Sequence, residues 1–232
     1  MMEKKTFYTA LGHFRRKTDG QGRSFPVIIV GQKEAYVDIQ EMALWTVLSW
    51  RLLELPQIQA EYNRLDRDCT IPAQRTMEDC LGRLCTRGLV SSGIGETDFE
   101  ALYDLLGGLY VVPLSENFPL RLAAFLKLTV LKGVSISRAL ELFRRDRTNE
   151  QEAQVMALSR QALLSTAELI KCVEVGAKDI STDEKLMNAL YNDDDTTSGN
   201  IADMMLTAGS REWVTAAVAN LYLRKQIIFQ RE

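Results

Sequence analysis

The sequence is poor in the residues on which most enzyme chemistry is built. Its one histidine, His13, sits among basic residues near the N-terminus. A single histidine excludes His-Cys zinc clusters and leaves any Ser-His-Asp triad dependent on that one side chain. The four cysteines, Cys69, Cys80, Cys85 and Cys172, show no Cys-x-x-Cys spacing, so they are expected to be buried reduced thiols rather than metal ligands. No stretch approaches the ~18 uncharged apolar residues that span a bilayer, and MMEKKTFYTALGHFRRK lacks the apolar core of a secretion signal. The expectation is a cytoplasmic chain. A net charge of -3 and a pI near 5.4 give no global attraction to nucleic acid, so phosphate binding would need a local basic patch.

Two further absences concern small ligands. GIGETD (93–98) has no lysine in phosphate-loop order and reads as a turn. The run Asp193, Asp194, Asp195 lacks the alternating acids, central glycine and terminal glutamate of a calcium loop, so it reads as a solvated turn. No metal and no cofactor are expected, and no local pair of residues marks an active site; the chain is read as a non-enzyme.

What is present is a globular composition, 46% hydrophobic and 25% charged over 232 residues, enough for one large core or two smaller ones. Lys4, Lys5, Arg15, Arg16, Lys17 and Arg23, interleaved with Phe7, Tyr8 and Phe14, make the first 24 residues a basic leader, expected to be a solvated, partly disordered tail, with an arm following nucleic acid as the alternative. SFPVIIVG (24–31) has β-branched strand character, with AYV as its return strand. Asp38 then caps a helix over IQEMALWTVLSWRLLEL, whose Met42, Trp45, Leu48, Leu52 and Leu55 recur at helical spacing. A short helix over 57–65 follows, and a third runs from Pro72 to Arg87.

On that third helix Met77, Cys80, Leu81 and Leu84 form an apolar stripe opposite Gln74, Arg75, Glu78, Gly82 and Arg83. Gly88 supplies the left-handed residue that ends it, and the chain enters LVSS and a Gly-rich turn over 91–95. TDFEALYDLLGGL carries a capping box, Thr97 with Glu100, ahead of the strand YVVPL. A helical block follows: PLRLAAFLKLTVLKG, SISRALELFRRDR with Arg144, Arg145 and Arg147 at its end, and one long helix from Asn149 to Ala177. Met156, Leu163 and Ile170 fall seven apart on that helix and form its candidate dimer face. Asp179-Ile180 then opens STDEKLMNALY much as Asp38-Ile39 opens the first helix. NIADMMLTA and a helix capped by Ser210 lead to the closing strand QIIFQ. TMEDCLGRLCTRGLVSS (76–92) matches WVTAAVANLYLRKQIIF (213–229) in the placing of its apolar residues, with two identities, Leu84 on Leu221 and Arg87 on Arg224.

Three helices, the last running into a Gly-Leu-Val strand in CLGRLCTRGLVSS, resemble the winged helix-turn-helix domain of bacterial transcription regulators. The resemblance covers about residues 25–114 and, less fully, 179–232. It implies a mainly α fold with small β-hairpins (α+β): a winged helix at each end and a helical block over 115–178 between them. It also implies a dimeric DNA-binding regulator whose third helix enters the major groove. Carried over by position, Gln74, Arg75 and Arg83 in the first copy and Arg211, Thr215 and Asn220 in the second would face DNA. Glu78 and Asp79 beside the first face, and SSGIGET without a Lys or Arg, depart from that pattern because they repel or ignore phosphates. The alternative is a protein-interaction module that uses the same helices to dock a partner.

Overall fold

A computed structural model describes residues 4–69, 75–114, 149–193 and 195–231. The expected helices over 119–147, with Arg144, Arg145 and Arg147, lie outside the described residues, as do Gln74 and the start of the third helix at Pro72.

Helices and small antiparallel sheets are mixed along the described chain. The basic leader is not a tail. Residues Lys5–Ala10 form strand β1 and His13–Thr18 form β2. The end of β1 runs into the interior, where Thr9 and Ala10, with Leu11 just after them, are all buried. Between the two strands Gly12 adopts φ 76°, and a Cβ there would lie 2.0 Å from the Ile29 carbonyl oxygen, so only glycine fits this reversal. Strand β3 (Ser24–Val30) pairs with β2 on one side and with β4 (Lys33–Tyr36) on the other. The expected strand and its return are thus two thirds of a three-stranded sheet.

Helix α1 spans Ile39–Leu48, with Asp38 and Glu41 forming a capping box. It was expected to continue to Leu55, and it does not. Trp50 takes φ 54°, and Leu53 exchanges backbone hydrogen bonds with Tyr8 of β1 at 2.9 and 3.1 Å. Leu52 packs on the core beside this strand contact, and Leu55, which is exposed, begins the next helix, so their spacing is not that of one helix. Helix α2 (Leu55–Cys69) and α3 (Met77–Thr86) follow. Gly88, at φ 68°, closes α3. Strand β5 (Val90–Gly95) then pairs antiparallel with β1, Ala10 opposite Val90. The Gly-rich segment is strand rather than turn, and β5 does not fold back as a wing hairpin. It leads to α4 (Asp98–Leu106), capped by Thr97 and Glu100 as expected, and to β6 (Tyr110–Pro113).

The long helix expected over 149–177 is two helices. Helix α5 (Glu150–Ser159) ends before Leu164–Ser165, a short strand β7 that pairs with β6, and Ser165 with Glu168 caps helix α6 (Thr166–Glu174). The backbone of 164–165 is held by the sheet, which outweighs the helical spacing of Met156, Leu163 and Ile170. Helices α7 (Asp183–Tyr191) and α8 (Ile201–Met204), a 3-10 turn (Met205–Thr207), α9 (Arg211–Leu223) and β8 (Ile227–Gln230) complete the chain. Strand β8 pairs with β6, Pro113 opposite Ile227.

Two units of the same plan emerge. Each has a strand, a capped helix, a one- or two-residue strand contact, a second helix, a last helix and a closing strand antiparallel to the first. The matches extend to single bonds. Leu11 N–H donates to the Leu89 carbonyl and Leu114 N–H to the Gln226 carbonyl, both at 2.9 Å. Val111 opposite Leu164 repeats Tyr8 opposite Leu53. Lys225, at φ 59°, stands where Gly88 does. The true counterpart of Asp38–Ser49 is Asn149–Arg160, not the segment opening at Asp179. The shared signal is Asp-Ile-Gln-Glu against Asn-Glu-Gln-Glu. The second unit therefore begins at β6 and takes α5 and α6 from the block set apart as a helical middle.

One apolar core runs through both units, from Leu11, Leu44 and Leu84 to Ile170, Leu221 and Phe229. Where the units meet, buried Tyr222 Oη accepts from the Trp50 N–H (2.9 Å) and the Thr9 hydroxyl (2.8 Å) and donates to the Ala10 carbonyl (3.2 Å). Burial pushes its phenol up to about 12.

Candidate functional site

The last helix of each unit has one buried stripe and one outward face. On α3 the stripe is Met77, Cys80, Leu81 and Leu84, as the sequence pattern requires. The outward face carries Glu78, Asp79, Gly82, Arg83 and Thr86. Arg75, just before the helix, pairs with Asp38 at 2.7 Å. Burial opposes ionisation of Asp38, but the Glu41 N–H and Arg75 outweigh it and hold the carboxyl below its ordinary range. Arg83 pairs through Nε with Glu41 Oε1 at 2.9 Å, and Arg87 pairs through Nη1 with Glu41 Oε2 at 2.9 Å. Both basic residues of the first copy expected to read DNA are thus tied to carboxylates of the same unit.

On α9 the outward face is Glu212, Ala216, Asn220 and Leu223. Thr215 is not on it; its side chain is fully buried and its hydroxyl donates to the Arg211 carbonyl at 2.7 Å. Arg211 lies over the rings of Phe99 and Tyr103, 4.9 and 5.4 Å from their centroids, so its guanidinium is stacked against α4. It borders a cavity of about 410 Å³ that is also lined by Lys4, Glu96, Glu100, Asp104 and Asp203. Of the five described residues among the six expected at a DNA interface, only Arg83 and Asn220 have an exposed place on an outward helix face. With Thr215 buried, these five do not form one surface.

The dimer face is likewise dispersed. Leu163 is exposed between α5 and α6, whereas Met156 and Ile170 are buried in the chain's own core. Among the other expectations, Cys80 and Cys172 are buried free thiols and Cys85 is half-buried. Asp193 is held in a turn by the Thr196 N–H (2.7 Å) and Lys171 (2.6 Å). Among the described residues no group of three or more His, Cys, Asp or Glu could hold a metal ion, and no helix is long and apolar enough to cross a membrane.

The paired units also place two buried glutamates in register, a feature that the apolar stripes did not reveal. Glu41 and Glu152 are each the third residue of a capped helix, and their side chains are only 2% and 1% exposed. In both, Oε2 accepts from the N–H of the capping residue, Asp38 (3.3 Å) or Asn149 (3.0 Å). In both, Oε2 also accepts from the arginine that ends the last helix, Arg87 (2.9 Å) or Arg224 (2.7 Å). Only Oε1 differs. In the first unit it accepts from Arg83; in the second, Asn220 takes that place and Glu152 Oε1 has no hydrogen-bond partner. Beside Asn220, a cavity of about 360 Å³ opens between α9 and the start of α5, lined by Asn149, Gln151, Glu212, Trp213 and Ala216. The sequence signal for this pair was the spacing Asp/Asn-x-x-Glu at the head of each helix, with Arg87 matching Arg224.

Comparison with protein-family models, with curated proteins and with solved structures gave no match.

Proposed function

We propose that the chain is a non-enzymatic protein-interaction module built from two winged-helix-like units. The observation that carries this reading is the neutralisation of the α3 face: Arg75 and Arg83 are paired with Asp38 and Glu41, beside exposed Glu78 and Asp79. Binding to duplex DNA draws its strength from cations that displace counterions at the phosphates. A helix whose arginines are already paired has little to offer there. The α9 face, with Glu212 and Asn220, offers no more. Polar faces with an open groove beside them suit a polypeptide partner, which brings its own charges and hydrogen-bond donors.

A DNA-binding regulator is the second reading, favoured by β2, where Arg15 and Arg16 are exposed on an edge strand. Homodimerisation belongs with it, through the exposed Leu163 rather than the buried Met156 and Ile170. Titration of labelled duplex DNA at low and physiological salt separates the readings. An interaction module gives no salt-dependent association even at low salt. Saturable binding that weakens steeply with salt, and that is lost on replacing Arg15 and Arg16 with Ala, would establish the regulator and overturn the module.

A further inference from the structure

Several strands meet a group of the chain beyond their sheet neighbours. Leu53 bridges to Tyr8 of β1, and the Ile94 N–H of β5 donates to Asp104 Oδ2 (2.8 Å). Arg87 donates to the Tyr36 carbonyl of β4, and the Gly12 N–H donates to the Phe229 carbonyl of β8 (2.7 Å). Strand β2 differs. It lies at the end of its sheet, in the order β2-β3-β4, and residues 13–17 make no backbone hydrogen bond among the described residues other than those to β3. An antiparallel strand turns alternate N–H and carbonyl groups away from its partner, so this edge carries donors and acceptors open to another strand.

The side chains of β2 restrict what that strand can be. Successive residues point to opposite faces of a sheet, so Arg15 stands on one side of the edge and Arg16 on the other. Both are exposed, and among the described residues neither has an ion-pair partner, whereas Lys17 is paired with Glu34. Phe14, 48% exposed, precedes them. A second copy of β2 centred on this edge brings cation against cation, which is destabilising. Carboxylates at two successive positions meet both arginines. We infer that β2 receives an extended acidic segment of a partner polypeptide as an added antiparallel strand, with two successive carboxylates opposite Arg16 and Arg15 and an apolar residue opposite Phe14. Strand addition draws affinity from main-chain hydrogen bonds and selects by side chains at alternate positions. The inference rests on the interaction-module reading and names its surface and the chemistry of its partner. The same arginines serve the DNA reading, but phosphates need only their side chains, so the backbone of β2 separates the two.

The test uses the whole chain and the peptide acetyl-Thr-Thr-Glu-Glu-Val-Thr-amide, followed through the backbone amide resonances of residues 13–17. The expected result is a saturable shift, with binding weaker by about three- to tenfold for the Gln-Gln peptide, which loses two cross-strand ion pairs. Two further versions, N-methylated at alternate residues in opposite phase, probe the backbone. The one whose blocked N–H groups face β2 should bind about tenfold or more weakly, and the other should keep its affinity. Arg15→Glu combined with Arg16→Glu should reject the Glu-Glu peptide and accept a Lys-Lys one, with an unchanged circular dichroism spectrum because both positions are exposed. No saturable shift, an equal response to the two N-methylated peptides, or an unchanged charge preference in the folded double variant would overturn the inference. A chain that ignores both peptide and DNA fails this inference alone and remains an interaction module with another docking surface. A chain that binds DNA through Arg15 and Arg16 fails the broader reading as well.

Discussion

Replacing each buried glutamate by glutamine tests the paired arrangement from within one molecule. Glu41→Gln removes the charge that holds two arginines. Hydrogen bonds to charged groups contribute about 1.5–3 kcal/mol each when screened from solvent. The side chain of Arg83 is 53% exposed, however, and that of Arg87 31%, so the outer bond belongs with surface pairs at about 0.2–1 kcal/mol. The expected loss is about 2–4 kcal/mol. Glu152→Gln weakens one arginine bond, to Arg224, and also relieves the chain of a buried anionic oxygen that has no donor. A neutral amide is less costly to bury than a carboxylate, so the net loss is about 1–2 kcal/mol. For a chain of this size each kcal/mol moves the midpoint by roughly 2–4 °C. Glu41→Gln should therefore melt about 5–15 °C below the parent and Glu152→Gln roughly half as far below it. Urea unfolding followed by circular dichroism, with unchanged slopes, gives the free energies directly. If Glu152→Gln costs as much as Glu41→Gln or more, the unpartnered oxygen is not the liability argued above, and the comparison between the units loses its energetic basis.

The helix ends give a second pair of opposite outcomes. Gly88→Ala, with φ 68° and no atom within 4 Å of the added Cβ, should cost about 1 kcal/mol through backbone strain alone. Lys225→Gly at φ 59° should gain a few tenths to about 1 kcal/mol, reduced by the lost contact with the Trp50 ring; urea unfolding reads both. In acid, the Lys171 and Thr196 hydrogen bonds hold the Asp193 carboxyl down to about 2. Its stabilising contribution is present above the ordinary carboxylate range and is lost as pH falls toward about 2. Thermal midpoints measured from about pH 5 downward should fall more steeply for the parent than for Asp193→Asn. Polar replacement of Ile170 should abolish the fold, while Leu163→Gln should leave the midpoint within about 0.5 kcal/mol of the parent. Light scattering of Leu163→Gln against the parent reads any self-association through that residue, and identical masses would remove Leu163 from a dimer interface.

Local chemistry was enough to determine the ends of many elements. Asp38, Thr97 and Asn149 cap helices because a short polar side chain meets exposed N–H groups next to it in sequence. Gly88 ends α3 because its left-handed backbone has no Cβ to strain. The stripe Met77, Cys80, Leu81 and Leu84 is buried because its spacing places all four on one side of a helix. Interruptions set by distant partners were not legible. The run from Ile39 to Leu55 looks like one helix until Leu53 meets Tyr8, and the run from Asn149 to Ala177 looks like another until Leu164 meets Val111. Strand pairing is a contact between residues far apart in sequence, so helical periodicity cannot announce it. The same limit hid the state of the functional candidates. Sequence position placed Arg75 and Arg83 on an outward face, but only the packing of α1 against α3 brought Asp38 and Glu41 to them. The missing partner of Glu152 likewise became visible only when tertiary structure laid α5 beside α9, because an unfilled hydrogen bond is a property of the space around an atom.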